Sequence, residues 1–190
     1  MGGFFGFLLL GIVFLSLQTT ILNFSPFIPV KPDLIIIMVA YLGIFQGSVR
    51  GVFLAAILGY LTDTLSGSII GLFTFLRIIT FFLTKLACEN LYLKNTFSQI
   101  ILIIMLSIID GILLLSTLYA FGSVENLWGF VARLLPFQAV LNGMFGPLIF
   151  LILNKTELLL EPQRTADSLT FLLFPFMDKK GGKKKGSPYN

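Results

Sequence analysis

An all-α integral membrane protein, folded as a six-helix transmembrane bundle, is what this sequence predicts. Three observations carry the prediction. Of the 190 residues, 56% are hydrophobic and only 12% charged, about half the charged share of an ordinary soluble domain. The mean hydropathy is +0.96. The apolar residues fall in long runs such as ILIIMLSII, apolar on every side and separated by short polar turns. A transmembrane β-barrel would instead alternate polarity over short segments.

The first segment, about Phe4 to Leu22, has roughly the ~20 residues that a bilayer crossing needs. It lacks a basic leading region and a small-x-small cleavage site, so it reads as a retained first helix. The link to the next segment holds three prolines, Pro26, Pro29 and Pro32, and is expected to be a stiff non-helical loop. Pro32-Asp33 then supplies a helix start, with the Asp33 carboxylate beside the positive dipole end as a cap.

The second and third segments, about Asp33 to Gln46 and Val52 to Leu65, meet at a tight turn from Gly47 to Gly51. Each is shorter than a perpendicular crossing needs, so they either cross in extended form or make a re-entrant pair. Gly43 and Gly47 form a GxxxG pattern that suits a close helix contact. Gly51, Ala55, Gly59 and Asp63 are spaced by four and so share one helical face, a small-residue seam ending in a carboxylate.

The fourth segment, about Ile70 to Cys88, carries Arg77 in its interior with Thr74, Thr80 and Thr84 around it. The fifth, about Phe97 to Phe121, places Asp110 at its middle beside Ser107. A turn with Glu125 and Trp128, the latter suited to an interface, precedes the sixth segment, about Ala132 to Leu153. Gly143, Gly146 and Pro147 are expected to kink it. Residues 1–155 then form the transmembrane domain, and 156–190 a basic, partly disordered cytoplasmic tail with lysines from 179 to 185.

Loop charges orient the chain. With six crossings and both termini cytoplasmic, Arg50, Lys85, Lys94, Lys155, Arg164 and the tail lie inside, and only Lys31 and Arg133 outside. The tail lysines are expected to favour anionic lipids of the inner leaflet.

The chain has no histidine and one cysteine, Cys88, which excludes an internal disulfide, His/Cys metal or haem sites, and Ser-His-Asp or Cys-His catalysis. No phosphate-binding glycine loop and no paired-carboxylate motif is present, so neither a cofactor nor catalysis is expected. Charge inside a bilayer costs ~2.5–3.5 kcal/mol per residue on insertion scales, so Arg77 and Asp110 are expected to face the bundle interior. Two readings follow. One is a structural salt bridge of Arg77 with Asp110 or Asp63 that fixes helix register. The other is a proton or ligand site.

The six segments, the Pro32-Asp33-Leu34 triplet, the GYLTD run from Gly59 to Asp63, and Gly71-Leu72 with the apolar run after it resemble the rod shape-determining protein MreD family. The likeness covers about Phe4 to Lys155. It implies a non-catalytic inner-membrane subunit of the bacterial cell-wall elongation machinery, one that determines rod shape in a complex with the bitopic protein MreC. Through MreC it implies contact with MreB filaments and with RodA and its transpeptidase, and a homodimer within the complex. It also implies a fold similar to the S-components of energy-coupling-factor transporters, which makes binding and transport of a small metabolite the alternative function. Asp33, Gly59, Asp63 and Gly71 fall on the family's recurring positions. They are expected to shape the hub of helices two to four and, with Gly43, Gly47, Gly51 and Ala55, a small-residue groove against which a partner's helix docks.

Overall fold

The computed structural model describes residues 2–20, 31–67, 69–90, 96–120 and 128–160. The described residues contain six helices and no strand: α1 (Gly2–Thr20), α2 (Leu34–Phe45), α3 (Ser48–Ser66), α4 (Leu72–Asn90), α5 (Thr96–Ala120) and α6 (Trp128–Leu160). Expectations placed on the proline loop, Lys94, Glu125 and the lysine tail, and on the side chain of Trp128, lie outside them.

Four helices are long and apolar enough to cross a membrane: Gly3–Thr20, Ser48–Ser66, Thr96–Ala120 and Arg133–Glu157. Helix α4 has the length but carries Arg77, Lys85 and Glu89. Helix α2 is short, 12 residues, or about 18 Å at 1.5 Å per residue against a hydrocarbon core of about 30 Å. It nevertheless forms the axis of the bundle. It touches every other helix, and the run from Ile35 to Gly43 is buried on all sides. Around it Phe7, Phe14, Leu54, Leu58, Phe81, Ile103, Ile149 and Phe150 close the apolar core. The outward sides of the other helices carry large apolar residues, including Phe5, Phe53, Met144 and Leu151, as lipid contact requires.

Two expectations are corrected here. The stretch Gly47 to Gly51 is not a turn between helices. Gly47 caps α3, and Ser48, Val49, Arg50 and Gly51 already belong to it, so α3 reaches 19 residues and needs no re-entrant geometry. Helix α6 runs from Trp128 to Leu160, well beyond both expected ends, and contains Pro136 and Pro147. Its 33 residues span about 50 Å, more than the hydrocarbon core alone.

The seam on α3 packs against α4 of the same chain. A Cβ on Gly59 would stand 2.5 Å from Thr74 Cα and 2.9 Å from the Phe73 carbonyl oxygen. One on Gly51 would run into the Phe81 ring, and Ala55 is fully buried. Gly43 of α2 also meets α4, where its Cβ would come within 2.7 Å of Thr84 Cβ. Gly47 has open space around it, so the GxxxG pair does not act as one contact. The seam therefore allows close approach of α3 and α4.

Candidate functional site

Because α2 is short and central, the polar groups at its two ends are buried, where an unpaired N–H or C=O is costly. Side chains from other helices answer them. At the first end Asp33 sits in extended backbone and its Oδ1 accepts from the N–H groups of Ile35 (3.0 Å) and Ile36 (3.2 Å), the expected cap. Its own N–H donates to Asn142 Oδ1 of α6 at 2.7 Å, and Asn142 Nδ2 donates to Ser107 Oγ of α5 at 2.9 Å.

Asp33 has a second role that sequence reasoning missed. Its Oδ2 receives Arg77 Nη2 at 2.5 Å, while Arg77 Nη1 reaches Asp110 Oδ1 at 3.2 Å. One guanidinium thus bridges two carboxylates across α4, α5 and the start of α2. Arg77 is wholly buried, with its guanidinium carbon 5.8 Å from the centre of the Phe73 ring. Thr80 Oγ1 donates to the same Asp110 Oδ1 at 3.0 Å. The sequence pointed to Arg77 and Asp110 as a pair. The third member was hidden because a carboxylate beside Pro32 at a helix start is fully accounted for as a cap.

Asp63 does not pair with Arg77. It ends the seam of α3 and satisfies the start of α4. Its Oδ1 accepts from Phe73 N at 2.8 Å, and its Oδ2 from Gly71 N at 3.0 Å, Thr74 N at 3.1 Å and Thr74 Oγ1 at 2.6 Å. A connection this short turns back through left-handed backbone at Gly67 (φ 62°) and Gly71 (φ 97°), which glycine adopts without strain. That geometry is what Gly71 contributes; a Cβ there would meet nothing within 4 Å among the described residues.

At the other end of α2 lies a second polar group with no counterpart in the sequence reading. The Tyr41 hydroxyl donates to Glu157 Oε2 at 2.5 Å and lies 2.8 Å from Asn154 Oδ1. Gln46 Nε2 donates to Glu157 Oε1 at 3.4 Å, and Lys85 Nζ donates to the Gln46 carbonyl at 3.2 Å. Glu157 is buried although it falls beyond the expected end of the domain. The signal that could have found it is its spacing of three from Asn154, which puts both on one face of a continued helix.

Beside Asp33 and Asp110 the helices border a partly open cavity of about 450 Å³. Gln18, Thr62, Gln138 and Asn142 contribute to its wall, with Leu15 and Phe73 among the apolar residues. Among the described residues no cluster of His, Cys, Asp or Glu is arranged to hold a metal ion.

The architecture defines a polytopic helical membrane protein whose buried charges join helices to one another. The model of the rod shape-determining protein MreD family matches residues 2–156. The chain belongs to that family, and is thus an inner-membrane protein of the complex that determines rod shape. No curated protein and no solved structure matches it.

Proposed function

We propose that this chain is a non-catalytic subunit of the bacterial cell-wall elongation machinery, acting by assembly with the single-helix protein MreC. Through MreC it is coupled to MreB filaments and to RodA with its transpeptidase. Family membership over residues 2–156 carries the reading. The use of the deep ionic groups supports it. Both terminal nitrogens of Arg77 and both oxygens of Asp33 are taken up in joining α2, α4 and α5, and Asp63 in starting α4. In this reading both termini are cytoplasmic, by the distribution of lysine and arginine. With the α3 seam closed by α4, the partner's helix docks on a lipid-facing side of the bundle. A homodimer within the complex would use another such side.

Copurification in mild detergent tests this. Tagged chain should retain an MreC-like protein in a fixed ratio, and loss of the chain should turn rod-shaped cells round. Cells that stay rod-shaped without it, with no such protein retained, would overturn the proposal.

A further inference from the structure

The cavity holds two hydrogen-bond acceptors that no group among the described residues serves. Asp110 is only 5% exposed, and both of its hydrogen bonds arrive at Oδ1, from Arg77 and Thr80. Its Oδ2 receives none, and the residue borders the cavity. Gln18 borders it too, and its Oε1 is buried without a partner. Both are acceptors, so the complementary occupant brings N–H or O–H donors. The ionic group beside them carries two carboxylates for one guanidinium, which favours a positively charged donor. The volume lies within the range of small-molecule sites, about 300–1,000 Å³.

We propose that this cavity binds a primary amine, its ammonium donating to Asp110 Oδ2 and Gln18 Oε1. The chemistry is shared by the headgroup of an ethanolamine phospholipid and by free phosphoethanolamine. The site is independent of the assembly role: a chain that binds no MreC would still carry it.

The test uses the full chain in nanodiscs of equal mole fractions of phosphatidylethanolamine, phosphatidylcholine and phosphatidylglycerol. Retained lipid is read by native mass spectrometry. Choline has no N–H to donate, and glycerol no positive charge. Ethanolamine lipid should be retained about tenfold over both, as one charge-assisted hydrogen bond allows. Free phosphoethanolamine should displace it. If the free compound stabilises the chain against heat while the three lipids are retained equally, the amine comes from a soluble source and the site stands. Asp110→Asn should remove the preference. Thr62→Phe fills the cavity from α3 without touching the ionic group and should do the same, which keeps the test decisive if Asp110→Asn does not fold. Equal retention of the three lipids with no stabilisation by the free compound overturns the proposal. So does a preference that survives Thr62→Phe.

Discussion

The two ends of α2 are held by opposite strategies. At the Asp33 end full charges meet: Arg77 between Asp33 and Asp110, with neutral Asn142 and Ser107 alongside. At the Gln46 end a single carboxylate, Glu157, gathers the neutral donors Tyr41 and Gln46, and Lys85 reaches only a backbone carbonyl. Removing one member of a buried ion group strands the others, whereas removing a neutral donor costs roughly one hydrogen bond. The first end should therefore be all-or-none and the second graded.

The largest effect is expected from Arg77→Ala. It leaves two carboxylates without a cation in the bundle and should cost about 3–5 kcal/mol, seen as loss of folded protein in membranes. An Arg77→Gln/Asp110→Asn double variant should recover only in part, because the Asp33 carboxylate still lacks its cation. Adding Asp33→Asn should recover more, as read from melting temperature in detergent. Full recovery by the double variant would remove Asp33 from the ionic group.

Gly59→Leu comes next. It forces α3 off the backbone of α4 between Phe73 and Thr74 and should cost about 1–3 kcal/mol without altering either polar end. Reduced melting temperature, with unchanged protease protection of the α6 terminus, is the expected pattern.

Tyr41→Phe should cost about 1 kcal/mol. Its signature is faster amide exchange confined to the last two turns of α6. A loss as large as that of Arg77→Ala would erase the contrast between the two ends. Gly47→Ala is expected to change stability by less than about 0.5 kcal/mol, because that position has extended backbone and open space around it. A larger loss would restore the GxxxG pair as a contact.

The ionic end was legible in the sequence and the neutral end was not, for a physical reason. Arg77 and Asp110 interrupt long apolar runs, where charge is expensive enough to demand a partner. Tyr41, Gln46, Asn154 and Glu157 sit near segment ends, where polar residues are ordinary at a membrane surface. The start of α3 was misread through its glycines. Gly47 and Gly51 look like a turn, yet Gly51 is inside the helix because the Phe81 ring occupies the place of its side chain. The seam of Gly51, Ala55 and Gly59 lies where α3 and α4 approach closely. Nothing in spacing alone distinguishes a neighbour in the same chain from another protein.

The shortness of α2 bears on how the polypeptide is made. Its first donor is answered by Asn142 and its tyrosine by Glu157, residues 109 and 116 positions downstream. A segment that emerges early must wait for almost the whole chain before its ends are satisfied, and such distant closure is slow. A nascent polypeptide arrested before Trp128 should leave Leu34–Phe45 open to protease, and release of the remaining residues should shield it. Membrane insertion of this protein would thus finish from its last helix inward.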